Sequence, residues 1–161
     1  MGVGDESRHV DITGLTKSFV GKDKRPVPVI DRLTLHAKNE ELVSIIGPSG
    51  CGKSTLFNIL AGLDDVDEGE VLIDGERLRQ DMGAVAYMPQ KDMLFPWRSV
   101  LKNICLPLEI KGTPRREAEA RAVELLPQFG LEQFADAYPF TLSGGMRQRA
   151  ALLRTIIQDC G

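Results

Sequence analysis

An apolar strand that runs straight into a glycine loop and out into a helix is the feature that most constrains this chain. Leu42-Val43-Ser44-Ile45-Ile46 is nearly all apolar and suits a strand buried on both faces. Gly47-Pro48-Ser49-Gly50-Cys51-Gly52-Lys53-Ser54-Thr55 follows at once and fits the pattern G-x-x-x-x-G-K-[ST]. Lys53 to Leu63 then places Leu56, Leu60 and Leu63 at helical spacing, with Gly62 near the expected end. Glycines at 47, 50 and 52 allow conformations that a Cβ would forbid, so successive N–H groups can turn inward as an anion-binding nest. The following helix adds its positive N-terminal dipole. Lys53 can reach β- and γ-phosphates, and the Ser54 hydroxyl can meet a magnesium ion. A plain glycine-rich turn is the alternative, and the flanking strand and helix argue against it. Cys51 occupies a free position of the pattern, where packing is a simpler account than redox chemistry.

The rest of the chain reads as short strands, then helices. Around His9-Val10-Asp11-Ile12 the alternation predicts a strand, Gly21 to Pro28 a loop, and Val29 to Leu35 a strand with Asp31 and Thr34 facing solvent. Glu70 to Gly75 predicts a strand entering a tight Asp-Gly turn, and Ala84 to Met88 a further strand stopped by Pro89. From Thr113 the period changes. Thr113 can cap a helix with Pro114 at its first position, running through Ala118, Ala122 and Leu125, disturbed at Pro127 and ended by Gly130. A second helix is expected from Ser143 towards Asp159.

Leu142-Ser143-Gly144-Gly145 opens that last helix about ninety residues beyond the first loop. Its serine can cap the helix, and its two glycines allow close backbone approach, so an exposed N-terminus offers a second anion site. An ordinary helix cap is the bland alternative. The neighbours change the weighing: Met146-Arg147-Gln148-Arg149 follows, Tyr138-Pro139 precedes, and Tyr87-Met88-Pro89-Gln90 lies between the loops. Together these motifs resemble the ATP-binding-cassette (ABC) ATPases from about Val10 to Asp159. The first loop matches that family's phosphate loop, Gln90 its Q-loop, and Leu142 to Met146 its signature, with Met146 where the commonest form has Gln.

The resemblance implies an α/β fold of the P-loop NTPase type. It divides the chain into an antiparallel β-subdomain with the phosphate-loop core, about residues 9–91, and a helical signature subdomain, about 92–155. It implies that Gly47, Pro48, Ser49, Gly50, Cys51, Gly52, Lys53, Ser54 and Thr55 hold ATP, with Ser54 and Gln90 at the magnesium. Lys53 and Gln90 are then the catalytic residues. Phe19, in Lys17-Ser18-Phe19, matches the aromatic that stacks on adenine, although a half-buried strand aromatic is also open. Leu142, Ser143, Gly144, Gly145 and Met146 would act in trans, covering nucleotide bound by a second copy in a head-to-tail homodimer.

Leu94-Phe95-Pro96-Trp97-Arg98-Ser99-Val100, with Asn103-Ile104, is similar to ATPase subunits of bacterial importers for nitrate, aliphatic sulfonates and taurine. There this segment faces a permease, so Phe95 and Trp97 become either anchors for a partner helix or packing for the helical subdomain. The resemblance also implies a periplasmic or lipid-anchored solute-binding protein as an indirect partner, and a peripheral place on the cytoplasmic face of the membrane.

Composition excludes other classes. A net charge of −3 without a basic block argues against nucleic acid as a partner. Three scattered cysteines show no metal-ligand spacing and fit a reduced compartment. Met1 to Arg8 is polar, unlike a signal peptide, and no run approaches the ~18 apolar residues of a membrane span. DNA-maintenance ATPases share both loops but separate them by a long coiled coil or zinc modules, and this insert has neither. The 161 residues contain no apolar run ending in Asp-Glu and no histidine after the phosphate loop. His9 and His36 read as surface or strand residues. The expectation is therefore a front part of the fold without its hydrolytic carboxylates, its Leu42–Ile46 strand left with an uncovered edge. A module that binds ATP without hydrolysing it stays open beside the importer ATPase.

Overall fold

The computed structural model describes residues 8–79 and 85–157. They form two compact units, divided between Val85 and Ala86.

The first unit is an antiparallel sheet with one helix. Its strands are β1 (Arg8–Val20), β2 (Pro26–Lys38), β3 (Glu68–Ile73) and β4 (Glu76–Arg77), in spatial order β2-β1-β3-β4. The first two strands run well past the short apolar alternations that signalled them. A turn closes their hairpin: the Arg25 carbonyl accepts from the Gly21 N–H at 2.8 Å, and the Gly21 carbonyl accepts from Lys24 at 2.9 Å. Asp31 and Thr34 are exposed as expected. The Asp74-Gly75 turn has both residues at positive φ, 51° and 77°, the pattern of a tight hairpin turn that matches strand twist.

One glycine fixes how β1 and β3 meet. Gly69 has φ 92°, and a Cβ there would overlap the Gly14 carbonyl and come within 2.7 Å of the Leu15 nitrogen. The strands touch backbone to backbone beside the register shift between Thr13 and Thr16. Ile12, Leu15 and Val71 then pack with Leu56 and Ile59 from α1 (Lys53–Leu60).

Three expectations fail here. Leu42–Ile46 is irregular rather than a strand, with Leu42 and Ile46 each 94% exposed. A strand buried on both faces needs partners on both edges, and among the described residues the only sheet is the four-stranded one above. Helix α1 ends at Leu60, close to Gly62 much as expected, with Gly62 at φ 71°, but Leu63 lies beyond the helix: it donates back to the Asn58 carbonyl (2.8 Å) and Gly62 to Ile59 (2.9 Å), closing a Schellman turn. Leu63 is therefore exposed, and Ile59 takes the core position. Val85 to Pro89 is likewise irregular, while Ala84 lies outside the described residues.

The second unit is helical: α2 (Val100–Ile110), α3 (Arg115–Leu125) and α4 (Gly144–Ile156), with 3-10 turns at Leu126–Phe129, Glu132–Phe134 and Pro139–Thr141. Helix α3 buries Ala118 and Ala122, passes into the 3-10 turn at Leu126 and ends at Gly130, as the sequence predicts. Thr113 makes no cap; Pro114 stands at that position instead, its carbonyl accepting from Glu117 (2.9 Å) and Ala118 (3.0 Å). Helix α4 starts where expected, and the expected end at Asp159 lies outside the described residues. The sequence reading did not predict α2. Its Val100, Ile104 and Leu108 join Ala118, Ala150 and Leu153 in the core.

Candidate functional site

The glycine loop leads into α1 with Gly52 as N-cap, at φ 95° and ψ 0°. That conformation favours glycine, and so does space: a Cβ on Gly52 would stand 2.8 Å from the Val29 carbonyl of β2. No side chain caps the helix, and its first turn holds no acidic residue. The positive end of the helix is thus left to whatever the loop receives. Gly50 also has positive φ, with no atom within 4 Å of its Cβ direction.

Lys53 folds back over this loop. Its ammonium donates to the carbonyls of Gly47 and Pro48, both at 2.7 Å, and lies 3.4 Å from the Cys51 sulfur. Gly47, Pro48, Ser49, Gly50 and Cys51 are all exposed, as is Ser54, while Lys53 and Thr55 are half-buried. Donor N–H groups, a cation, an exposed hydroxyl and no competing carboxylate in the helix's first turn form a set that fits a polyphosphate with its magnesium.

Phe19, near the end of β1, is 42% exposed and faces Val27 across the β1–β2 hairpin. The Lys17 ammonium lies over its ring, 5.5 Å from the centroid.

In the second unit, Ser143 is the N-cap of α4; its hydroxyl accepts the Met146 N–H at 3.3 Å. This helix too has no acidic residue in its first turn, and Gly145 has nothing within 4 Å of its Cβ direction. Leu142 is buried and anchors the loop in the core, while Ser143 and Gly144 are exposed.

The structure brings Gln90 and the signature helix together. The Gln148 side chain donates to the Gln90 carbonyl at 3.4 Å. Arg147 pairs with Asp92 at 3.1 Å and also donates to the Leu142 carbonyl at 2.8 Å. Arg154 donates to the carbonyls of Asp92 and Met93, both at 2.7 Å. Three side chains of α4 thus hold the segment that follows Gln90. Asp92 and Arg154 were not singled out from the sequence; their spacing of sixty-odd residues gives no local signal.

Asn103 is another residue that sequence reasoning passed over as part of a motif. It is fully buried. Its Oδ1 accepts the Phe95 N–H (2.7 Å), and its Nδ2 donates towards the carbonyls of Phe95 (3.1 Å), Arg98 (3.0 Å) and Ser99 (3.0 Å). This one amide shapes residues 95–99 into a loop that presents aromatics outward. Trp97 is 72% exposed and stacks on Phe95, with centroids 5.1 Å apart. Trp97 lines a groove of ≈ 680 Å³ with Arg98, Lys102, Glu109, Thr113 and Arg115. Neither ring is buried in the helical core, Phe95 being 37% exposed.

The remaining candidates are structural. Cys105 is buried, which, with Glu109 and Glu119 nearby, pushes its thiol up to about 11. His36 meets Asp11 at 2.7 Å on the hairpin. Among the described residues no cluster of three His, Cys, Asp or Glu could hold a metal, and no helix is long and apolar enough to cross a membrane.

Comparison with known proteins decides the family. The profile described as "ABC transporter" matches residues 30–160. This chain belongs to the ABC transporter family. An uncharacterized ABC transporter ATP-binding protein of Methanocaldococcus jannaschii is 43% identical over 148 residues, covering 92% of this chain and 55% of that protein. A taurine import ATP-binding protein of Rhizobium johnstonii is 42% identical, covering 86% and 53%. An aliphatic sulfonates import ATP-binding protein of Bacillus cereus is 39% identical, covering 93% and 58%. The chain thus spans about half the length of these curated relatives. Among solved structures, a dimeric bacterial ABC transporter cassette superposes with a TM-score of 0.82 at 33% identity. A dimeric post-hydrolysis cassette bound to ADP and Pi superposes with a TM-score of 0.81 at 34% identity. Each match covers 93% of this chain and 70% of the other. The P-loop NTPase fold of ABC type expected from the two loops is the fold of these neighbours.

Proposed function

We propose that this chain is the ATP-binding part of an ABC importer ATPase that drives uptake of a small solute of the nitrate, sulfonate or taurine kind through a separate permease. The observation that carries the reading is Lys53, folded over an exposed glycine loop at a helix N-terminus whose first turn holds no acidic residue.

The roles follow from the donor sets. The backbone N–H groups of the Gly47–Gly52 loop would wrap the phosphates, Lys53 would neutralise the β- and γ-oxygens, and the Ser54 hydroxyl would meet the magnesium, a role the family resemblance gives Gln90 as well. Bound magnesium supplies charge neutralisation to the transferring phosphoryl group. Thr55 completes the first turn, and Phe19 receives the adenine. Leu142 to Met146 cover the γ-phosphate held by a second copy, so that a head-to-tail homodimer closes on two ATP molecules; the dimeric cassettes among its structural neighbours support this. Residues 9–91 would serve as nucleotide core and 92–155 as the signature-bearing helical part.

Trp97 and Phe95 are the contacts for the permease. Two stacked, exposed rings beside a groove are what a partner's helix can bury, and the import proteins among the relatives support such a partner. The solute-binding protein acts only through that permease, and the chain works at the cytoplasmic face.

A second reading rests on the same phosphate loop and asks less of it. On that reading the chain binds ATP without turning it over. Titration with magnesium-ATP and a phosphate-release assay separate the two. Saturable binding with turnover above ~1 s⁻¹ supports a self-sufficient ATPase, and binding with far slower turnover supports the module. Absence of binding contradicts both.

A further inference from the structure

The Phe19 ring is held by a construction that packing alone does not require. Lys17 and Phe19 lie two residues apart on β1, and the Lys17 ammonium stands over the Phe19 ring. Lys17 is only 9% exposed, an unusual depth for an ammonium, and it meets one carboxylate, Asp67, at 3.0 Å. The other oxygen of Asp67 accepts the Ser18 N–H at 2.7 Å, and the Asp67 N–H donates to the Thr16 carbonyl at 3.1 Å. Asp67 thus grips three successive residues of β1, immediately before Phe19. With its ammonium fixed, Lys17 stands over the Phe19 ring at 5.5 Å while 42% of that residue remains exposed.

We propose that Asp67 and Lys17 are positioning residues that hold the Phe19 ring as a platform for a purine base, the cation taking one face and the base the other. This rests on the reading of Phe19 as the adenine contact. A cation over one face withdraws electron density from the ring, which favours an electron-rich purine stacked opposite. The arrangement is also costly if it serves stability alone. Burying an ammonium against one partly exposed carboxylate carries a desolvation penalty, and a methionine of similar length would fill the same space without it. A group kept in an expensive position, aimed at a half-exposed aromatic, points to a ligand on the other side of that aromatic.

The test uses the 161-residue chain and calorimetric titration with magnesium-ATP and, separately, with inorganic tripolyphosphate, which has no base. Phe19→Ala should weaken ATP about tenfold, the loss of one stacked base. Lys17→Met and Asp67→Asn should each weaken ATP about threefold, while Lys17→Arg, which keeps a cation over the ring, should retain most of the affinity. None of the four should change the affinity for tripolyphosphate. If Phe19→Ala weakens ATP but Lys17→Met and Asp67→Asn do not, the positioning role is wrong and the adenine contact stands. If Phe19→Ala leaves ATP binding unchanged, the adenine contact falls and the positioning role with it. An equal loss of tripolyphosphate affinity in Lys17→Met or Asp67→Asn would show damage to the whole loop and overturn the proposal.

Discussion

Lys53 donates from one ammonium to two carbonyls of the loop before it, and this posture separates its role from that of an ordinary surface lysine. Replacing it by alanine removes the charge proposed to face the phosphates and should weaken ATP binding at least tenfold, a loss of about 1.4 kcal/mol or more. Asn103 carries a different weight. Asn103→Ala leaves the Phe95 N–H without its partner and frees residues 95–99, so chemical denaturation should show a loss of about 2–4 kcal/mol. Asp67 gives a pH signature. The Ser18 N–H, then the Lys17 ammonium, hold its carboxyl below the ordinary 3.8. Its stabilising effect is therefore present above that value and lost as pH falls through the lowered one. The stability difference between the native chain and Asp67→Asn should accordingly be constant near neutrality and shrink only below about pH 4, followed by unfolding at stepped pH. At this scale the phosphate loop was legible because its chemistry is local: nine consecutive residues carry donors, cation and hydroxyl. Asn103, Asp92 and Arg154 were not, since each matters through carbonyls or charges that only the fold brings near.

At the scale of elements, the glycine and proline punctuation predicted well and apolar periodicity predicted unevenly. The Asp74-Gly75 turn, the 3-10 passage after Leu125 and the start of α4 all follow from residues that restrict φ or supply a cap. Ser143→Ala should cost about 1 kcal/mol through loss of the Met146 cap, read as a lower denaturation midpoint. Helix α2 escaped because Pro107 sits inside it, where it has no N–H to give to the Asn103 carbonyl. Leu42–Ile46 was misjudged for the opposite reason. Its composition is that of a buried strand, yet burial depends on neighbours that no sequence window contains. With Leu42 and Ile46 already exposed, the double change Leu42→Glu, Ile46→Glu should alter unfolding stability by less than ~0.5 kcal/mol and raise solubility. A strand buried on both faces would lose several times that.

For the whole molecule, two anion-ready helix N-termini stand in two separate units, one preceded by a glycine loop with a lysine and one capped by serine. Neither carries an acidic residue in its first turn, so both are suited to the same polyphosphate chemistry. Family membership fixes the fold, and the proposed trans arrangement gives the second N-terminus its ligand. What the sequence could not convey at this scale is the grip of α4 on residues 90–93, which ties the segment after Gln90 to the signature helix. The most direct test of the account is titration of the 161-residue chain with magnesium-ATP, beside its Lys53→Ala variant. Saturable binding that is lost or weakened at least tenfold in Lys53→Ala is the predicted result. Absence of binding, or binding indifferent to Lys53, would contradict it.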